Sequence, residues 1–392
     1  MNFSAERMRV FPDHFFTRLN TRIRKMQARG EDVIRLDIGS PDLPPAPHII
    51  KVLQDAAGDP GVHGYQPHQG PDFLRQAWAG MYQQIYQVDL DPENEVLPLM
   101  GSKEGIFNLI LAGINPGELV LIPDPGYLTY HAATRFAGGE SLYLPLKSEN
   151  DFLPDLEAIP EPILERAKLL WLNYPNNPTA GVADLDLFTR VVELAQEHHL
   201  LICHDAAYSR VTYDGYQSPS ILQVPGASSV AVEFNTLSKS HNMAGWRTGV
   251  VVGNGKVVAL LRALKTNIDS GQFLPIMRAA SAAMDGDQSW LADRNLVYQK
   301  RRDIVVERLH EMGFHARVPQ ASLYVWCPIP VEWSARQLAD FLLEQAKISL
   351  TPGDIFGTQG EGYLRISLTV PQARIEEAMQ RMMDVLERSG RW

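Results

Sequence analysis

The stretch LLWLNYPNNPTAGVADLDLFTRVVELAQEHHLLICHD, residues 169–205, decides the fold of this 392-residue chain. It opens with the apolar run Leu169–Tyr174 and closes with a second one, Leu200–Cys203. Both runs are short and apolar on both faces, which is typical of strands in a covered parallel sheet. Between them, Leu187–His199 carries apolar residues at helical spacing. The stretch therefore predicts a right-handed βαβ unit.

The same rhythm of short apolar runs and helical patterns recurs on both sides of this unit. The further predicted strands of the parallel sheet are Leu119–Ile122, Val230–Phe234 and Thr248–Val252. Several βαβ units in succession predict a doubly wound α/β domain with a mainly parallel sheet.

After about residue 285 the pattern changes to longer helices separated by single strands. The predicted elements are helices over Arg294–Met312, Ala335–Ala346 and Gln372–Arg388, and strands over Leu323–Trp326 and Tyr363–Leu368. They predict a smaller α+β domain. We therefore expect an N-terminal arm over residues 1–45 that packs with this small domain, a large domain over 46–285 and the small domain over 286–392.

Composition excludes several classes of protein. Hydrophobic residues at 45% and charged residues at 21% are ordinary for a globular chain. The formal charge of −10 argues against nucleic-acid and anionic-membrane partners. No apolar run approaches the roughly 18 residues of a membrane span, and the N-terminus has no apolar signal segment. Two cysteines, Cys203 and Cys327, are too few for a disulfide framework. We expect a cytoplasmic protein.

Polar side chains follow four of the predicted strands. Asn177 follows the strand ending at Tyr174, and Asp205 follows Cys203. Tyr127 and Lys239 come shortly after Ile122 and Phe234. Ligands of open α/β sheets bind at the carboxyl ends of the strands. Taken singly, Asn177 could be a turn residue and Asp205 a helix cap. Tyr127 could be a packing residue and Lys239 a surface lysine. These roles do not explain why the four residues occur together.

A phosphate site is also indicated. Gly101-Ser102-Lys103 precedes the helical pattern Ile106, Leu109, Ile110, and the free N–H groups of a helix N-terminus bind anions. Arg247 lies eight residues after Lys239. Taken alone, Gly-Ser-Lys is a weak signal.

Three blocks of this sequence resemble the signature blocks of the class I/II, fold type I aminotransferases. They are Tyr174–Thr179, Asp205–Tyr208 and Ser238–Gly249. The resemblance extends from Gly39 to Arg365. It implies a fold type I transferase with pyridoxal 5'-phosphate as cofactor and a ping-pong exchange of amino groups between an amino acid and a 2-oxo acid.

The resemblance also implies roles for the residues around the cofactor ring. Lys239 would form a Schiff base with the cofactor aldehyde and then shuttle a proton. Asp205 would pair with the ring nitrogen and keep the ring electron-withdrawing. Asn177 and Tyr208 would hydrogen-bond the ring hydroxyl, and Tyr127 would stack on the ring.

The remaining implied contacts concern the phosphate, the substrate and a second subunit. The implied phosphate ligands are Ser102, Lys103, Ser238 and Arg247. Tyr65 would reach the cofactor phosphate of the neighbouring subunit, which implies a homodimer with shared active sites. Arg365 would bind the substrate α-carboxylate, with Gly39 and Asn177 beside it.

The strand pattern supports a binding role for Arg365. In Tyr363–Leu368 the apolar residues alternate with Tyr363, Arg365 and Ser367. We therefore expect Arg365 to point away from the core, where a planar guanidinium can bind a carboxylate bidentately. A purely structural arginine on an exposed face is the alternative.

Two positions depart from the family pattern. Ala180 stands where the pattern has glycine, and a positive φ there would strain the turn. Ala321 also replaces a frequent glycine, with an expected effect on substrate access at most.

The segments Ile202–Tyr216 and Lys265–Gly271 resemble the LL-diaminopimelate aminotransferase branch. LL-diaminopimelate is the favoured donor on this resemblance, with aspartate or alanine as other candidates and 2-oxoglutarate as acceptor. Two alternatives stay open because the motifs do not separate them from transamination. One is a carbon–sulfur β-lyase on the same fold. The other is a pyridoxal-phosphate-binding regulator, which would need a DNA-binding module that the sequence does not show.

Overall fold

The computed structural model describes residues 3–11 and 15–390. Its strands are β1 (Ile34–Arg35), β2 (Val96–Leu99), β3 (Leu119–Asp124), β4 (Glu140–Pro145), β5 (Ala167–Asn173), β6 (Leu201–Asp205), β7 (Ala231–Thr236), β8 (Gly249–Gly253), β9 (Tyr324–Pro328), β10 (Ile348–Ser349), β11 (Thr351–Pro352) and β12 (Tyr363–Ser367). Its α-helices are α1 (Phe15–Ala28), α2 (Pro47–Ala57), α3 (Asp72–Tyr86), α4 (Ser102–Gly113), α5 (Leu128–Phe136), α6 (Glu161–Leu164), α7 (Leu185–His198), α8 (Leu237–Ser240), α9 (Gly255–Lys265), α10 (Leu274–Asp285), α11 (Trp290–Glu311), α12 (Ala335–Gln345) and α13 (Gln372–Ser389). Short 3₁₀ turns join several of these elements.

A seven-stranded sheet in the order β2-β8-β7-β6-β5-β3-β4 forms the large domain. The predicted βαβ unit is confirmed, because β5 and β6 are adjacent and parallel and α7 connects them. The Asp184 carboxylate caps α7 by accepting a hydrogen bond from the Leu187 N–H at 2.8 Å. The register sets Asn173 opposite Asp205 and Asp205 opposite Phe234, so polar residues meet at the carboxyl edge of the sheet.

The prediction that Thr248–Val252 is a parallel strand is wrong in direction. Strand β8 is antiparallel to both β7 and β2. Only the short α8 and a turn separate β7 from β8. A parallel pair needs a long crossover connection, usually a full helix, and this connection is too short to provide one. Because β8 is reversed, its first residues lie at the edge where the other strands end. Arg247 thereby reaches the same edge as Asp205.

Helices cover both faces of the large sheet. On one face, Phe188 and Val191 of α7 pack in a cluster with Leu170. On the other face, Ile106 of α4 packs with Trp171 and other sheet residues. Strands β2 and β4 were not predicted. Strand β4 is an edge strand with several exposed residues, so it lacks the continuous apolar run that identified the central strands.

A buried polar network joins β6 and β7 beneath the carboxyl edge. The Glu233 carboxylate accepts hydrogen bonds from the Tyr82 hydroxyl at 2.7 Å and the Ser220 hydroxyl at 2.9 Å. The same carboxylate contacts His204 Nδ1 at 2.9 Å. His204 immediately precedes Asp205 on β6. The network therefore fixes the strand that carries Asp205.

The smaller α+β domain contains the antiparallel sheet β11-β12-β9, and α11, α12 and α13 contribute to its core. The N-terminal arm is attached to this domain through parallel pairing of β1 with β10. The two cysteines are buried free thiols, as expected. No helix within residues 3–11 and 15–390 is long and apolar enough to cross a membrane.

Candidate active site

A cavity of about 560 Å³ opens at the carboxyl edge of the large sheet, beside β12 of the small domain. Eleven of the twelve predicted site residues line it: Gly39, Ser102, Lys103, Tyr127, Asn177, Asp205, Tyr208, Ser238, Lys239, Arg247 and Arg365. Tyr65 is not among the residues that line the cavity, and it is 93% exposed on the described chain. Residues spread over more than 300 positions of sequence therefore meet in one place.

Lys239 lies in α8, immediately after β7. The Thr236 hydroxyl caps this short helix by accepting a hydrogen bond from the Ser238 N–H at 3.1 Å. The Lys239 ammonium donates to the Gly39 carbonyl. Burial, together with the nearby Arg365 and Arg247 guanidinium groups, lowers the pKa of Lys239 to about 8. An amine with this pKa is partly neutral near physiological pH, as a nucleophile or a general base must be.

The lowered pKa of Lys239 leads to a pH-dependence prediction. Only the neutral amine attacks an aldehyde, and its fraction rises as pH increases through about 8. We expect the rate at which cofactor-free enzyme captures pyridoxal phosphate at Lys239 to rise about tenfold between pH 6.5 and 7.5 and to level off above pH 9. Stopped-flow absorbance over this range measures it. A rate that still rises steeply up to pH 10.5 would contradict the lowered pKa.

Asp205 lies at the end of β6 with its carboxylate buried. Its Oδ2 accepts a hydrogen bond from the Tyr130 hydroxyl at 2.8 Å, and its backbone carbonyl accepts one from the Asn173 amide at 2.7 Å. Burial raises the pKa of Asp205, while the hydrogen bond from Tyr130 opposes that shift. A protonated ring nitrogen beside this carboxylate would favour the ionised form. The buried acid is therefore suited to pair with a pyridinium ring.

Arg365 and Asn177 are joined by a hydrogen bond in the cavity wall. Arg365 Nη1 donates to Asn177 Oδ1 at 2.9 Å, and Nη2 donates to the Asp37 carbonyl at 2.9 Å. The guanidinium carbon lies 4.2 Å from the ring centroid of Tyr324. The buried Nε of Arg365 has no acceptor among the described residues. Arg365 thus points away from the core, as predicted, but it is buried in the cavity wall, which contradicts an exposed structural arginine.

Tyr208 and Gly39 both contact Tyr324. The hydroxyls of Tyr208 and Tyr324 lie 2.8 Å apart, and burial raises the pKa of Tyr208 well above its usual value. Tyr208 therefore stays protonated and can donate a hydrogen bond. A Cβ on Gly39 would overlap the Tyr324 hydroxyl, so only glycine fits at this position.

A cradle of anion-binding groups forms where α4 begins. Ser102 and Lys103 lie in the first turn of α4, where backbone N–H groups are free. Arg247, with a left-handed φ of 58°, donates through Nη1 to the Ala244 carbonyl at 3.0 Å. Together with Ser238, these groups fit a phosphate. Lys239 fits the aldehyde and Asp205 fits the ring nitrogen, so the cavity fits pyridoxal phosphate as a whole.

Gly101 is essential to this cradle. Its φ is +82°, and a Cβ there would overlap the Arg247 guanidinium. We expect Gly101→Ala to weaken pyridoxal phosphate binding about 10- to 100-fold, since the displaced arginine loses a charge-assisted contact worth about 1.5–3 kcal/mol. Equilibrium titration of the cofactor-free enzyme measures this. Gly113→Ala, at the far end of the same helix where a Cβ meets nothing within 4 Å, is the matched control and should bind normally. Equal affinities for the two variants would exclude the role of Gly101.

The two departures from the family pattern have different outcomes. Ala180 has a φ of +57°, so the strain expected for a non-glycine residue is present. Hydrogen bonds from Ala180 N to Asn176 O at 3.0 Å and from Asn176 N to Gly181 O at 2.8 Å hold the turn. Ala321 pairs with Thr212 and is not among the residues that line the cavity.

Sequence reasoning missed several residues of the site. Lining residues that were not predicted include Asn20, Arg35, Asp37, Thr236 and Tyr324, and Tyr130 supports Asp205 from behind. The alternation of Ile34 and Leu36 with Arg35 and Asp37 was a usable signal for the arm. Nothing in the local sequence distinguishes Tyr324 or Tyr130 from core tyrosines.

Comparison with known proteins places the chain in a family. The family model described as aminotransferase class I and II matches residues 31–382. The LL-diaminopimelate aminotransferase of Moorella thermoacetica is 48% identical over 382 residues, covering 97% of this chain and 98% of that relative. The enzyme of the same name from Gloeobacter violaceus is 47% identical, covering 97% of each chain.

Solved structures agree with this placement. Substrate-bound BacF from Bacillus subtilis is 35% identical, with a TM-score of 0.95 and coverage of 98% of both chains. An aspartate aminotransferase from Thermotoga maritima is 27% identical, with a TM-score of 0.91, covering 98% of this chain and 100% of that one. These relatives do not favour the lyase or the regulator. The chain belongs to the aminotransferase class I and II family and is a pyridoxal-phosphate-dependent aminotransferase of fold type I.

Proposed function

We propose that this enzyme transfers the amino group of LL-diaminopimelate to 2-oxoglutarate. The observation that carries the proposal is the 44–48% identity to relatives named LL-diaminopimelate aminotransferase over nearly the whole chain. Aspartate and alanine are the other candidate donors. In each case the donor becomes a 2-oxo acid, and the acceptor oxo acid gains the amino group.

Pyridoxal phosphate, when bound, supplies an aldehyde that receives the amino group and a ring that withdraws electrons from the substrate α-carbon. Lys239 is the residue proposed to carry the cofactor and then to act as general base. Its Nζ is buried near the Gly39 carbonyl, and its pKa of about 8 suits the removal and return of the α-proton.

Asp205, Asn177 and Tyr208 are proposed to orient the ring and tune its electronics. The Asp205 carboxylate holds the ring nitrogen protonated, and Tyr130 fixes one of its oxygens. Asn177 and the protonated Tyr208 hydroxyl are proposed to hydrogen-bond the ring hydroxyl. Tyr127 is proposed to stack on the ring.

Arg365 is proposed to bind the substrate α-carboxylate. Asn177 and the Asp37 carbonyl hold its two terminal nitrogens, so the guanidinium is ordered before the substrate arrives. A preordered charged donor loses little conformational entropy on binding. Gly39, which lies against the Tyr324 hydroxyl, is proposed to lie beside the bound substrate.

The proposal includes a homodimer with shared sites. Tyr65 is almost fully exposed on the single chain, and we propose that it reaches the cofactor phosphate of the other subunit. Ser102, Lys103, Ser238 and Arg247 are the proposed phosphate ligands within the subunit.

The domain limits at residues 45 and 285 also remain proposals, supported by the β1–β10 pairing and by α10 packing on α2 and α3. We propose a cytoplasmic location, with which the two buried free thiols are consistent.

Glutamate formation from 2-oxoglutarate tests the proposed reaction. Purified enzyme with bound cofactor is supplied in turn with LL-diaminopimelate, aspartate, alanine and phenylalanine. We expect kcat/KM to be at least about tenfold higher for LL-diaminopimelate than for the others, which requires only about 1.4 kcal/mol of discrimination. Equal or higher values for another donor would overturn the proposed substrate.

The same preparation can be incubated with L-cystathionine. Transamination predicts no release of pyruvate and ammonia, whereas a β-lyase would release both. Such release at a rate comparable to transamination would reopen the lyase alternative.

A further inference from the structure

The N-terminal arm contributes a charged strip to the outer wall of the active-site cavity. Along the extended segment that begins with β1, Ile34 and Leu36 are buried in the core of the small domain. Arg35 and Asp37 alternate with them and line the cavity, and the next two residues, Ile38 and Gly39, line it as well. The strip starts at the Gly39 carbonyl, which contacts the Lys239 ammonium. It leads outward from the reacting amine to Arg35.

The Arg35 side chain is held in a fixed position. Its Nε and Nη2 donate to the two carboxylate oxygens of Asp37, both at 2.7 Å. Nη2 also donates to Asn20 Oδ1 at 2.8 Å. The Asp37 side chain is almost fully buried, whereas the Arg35 side chain is 22% exposed. A bidentate pair of this kind fixes the plane of the guanidinium.

Two donor groups in this cluster have no acceptor in the part of the chain that the structure describes. Nη1 of Arg35 and the Nδ2 amide of Asn20 make no hydrogen bond to any residue in the ranges 3–11 and 15–390. Both residues line the cavity. Adjacent guanidinium and amide donors match the two oxygens of a carboxylate.

The spacing suits a second carboxylate at the far end of a substrate. Asp37 precedes Gly39 by two residues, so their Cα atoms lie at most about 7 Å apart, and the Arg35 guanidinium donates to the Asp37 carboxylate. In a 2,6-diamino diacid the two α-carbons are four bonds apart, or roughly 5 Å for carbon–carbon bonds of about 1.5 Å. The two ends of such a molecule are therefore separated by a distance comparable to that between Gly39 and Asp37.

We propose that Arg35, assisted by Asn20, binds the far carboxylate of a long dicarboxylic substrate and determines the preference for such substrates over monocarboxylic ones. The inference rests on the proposed function, since it takes the reacting end to bind at Lys239 and Arg365. Asp37 acts as a positioning residue because it holds the guanidinium in place. Its charge also keeps the pair neutral when no substrate is bound.

Binding of non-reacting acids tests this proposal without relying on turnover. The probes are pimelate, a seven-carbon diacid, and heptanoate, which lacks the second carboxylate. Both are titrated by calorimetry into enzyme with bound cofactor. We expect pimelate to bind wild type at least about tenfold more tightly than heptanoate, as a charged hydrogen-bonded contact provides. A symmetric diacid has two equivalent carboxylates and would gain only a twofold advantage from that fact alone, so a tenfold difference requires an additional contact.

Three variants define the outcome. Arg35→Gln should reduce the pimelate-to-heptanoate affinity ratio to about twofold. Because that variant leaves the Asp37 carboxylate buried without its partner, the double variant Arg35→Gln with Asp37→Asn removes both charges and should give the same reduced ratio. Arg22→Gln, which removes an arginine of the same arm that pairs with Asp340 and Glu344, should keep the wild-type ratio.

The failure of this proposal is distinguishable from the failure of the proposed reaction. A ratio that stays at the wild-type value in both Arg35 variants would overturn the role of Arg35, whatever amino donor the enzyme uses. A wild-type ratio of only about two would overturn it as well. Absence of turnover with LL-diaminopimelate, with the ratio collapsing as expected, would overturn only the identity of the substrate.

Discussion

Replacing Lys239 by alanine is expected to reduce transamination at least about 10⁴-fold and to abolish covalent attachment of pyridoxal phosphate. If the proposed roles are right, the variant loses both the amine that bonds the cofactor and the base that moves the α-proton, and the second role alone contributes up to about 10⁴. The fold should persist, because a buried amine whose pKa is lowered by desolvation is not a stabilising group. Glutamate formation measures the activity, and circular dichroism measures the fold.

Lys103→Ala is the matched control for the Lys239 variant. Lys103 lines the same cavity and its ammonium lies 5.8 Å from the ring centroid of Tyr127, but its proposed role is to bind the phosphate and not to bond the cofactor. Its loss should weaken cofactor affinity and leave covalent attachment intact at saturating pyridoxal phosphate. Turnover of Lys239→Ala within tenfold of wild type would show that another residue carries the chemistry.

Replacing Arg365 by lysine is expected to lower kcat/KM about 100-fold, chiefly through a higher KM for both the amino acid and the oxo acid. Lysine keeps the positive charge but cannot contact Asn177, the Asp37 carbonyl and a carboxylate together, as the planar guanidinium can. Loss of a buried charge-assisted contact of about 2–3 kcal/mol corresponds to this factor. Steady-state kinetics with varied donor and acceptor measure it.

A surface arginine provides the control for the Arg365 variant. Arg381→Lys, in α13 and outside the cavity lining, should change kcat/KM by less than twofold, because Arg381 pairs with Asp32 and Glu377, which do not line the cavity either. If Arg365→Lys changed kcat alone and left KM unaltered, a role in binding the α-carboxylate would be excluded.

Much of the fold was predictable because its signals are local. The apolar runs before Asn177 and Asp205 and the amphipathic pattern of α7 identify a βαβ unit without long-range information. The direction of β8 was not readable from its apolar residues, because a strand buried on both faces has the same composition in either orientation. The short connection after β7 decides the direction.

The site residues that directly follow strands of the large sheet could be predicted from the sequence. Most of those contributed by the small domain and the N-terminal arm, which are distant in sequence, could not. Asp205 and Lys239 lie at strand ends, and the sheet itself brings them together. Tyr324 reaches the cavity only through the docking of the small domain, which no local pattern specifies. For Arg35, the alternation with Ile34 and Leu36 indicates which face of the arm it lies on, but not that this face lines the cavity. The burial of Arg365 likewise follows from the cavity wall around β12, and alternation along the strand gives only the direction of its side chain.

The position at which pyridoxal phosphate attaches covalently identifies the reacting lysine. Wild-type enzyme loaded with pyridoxal phosphate is reduced with borohydride, digested and analysed by mass spectrometry. We expect the reduced cofactor on Lys239, in the peptide that contains residues 237–240. An unmodified Lys239, or a cofactor attached to another lysine, would contradict this expectation.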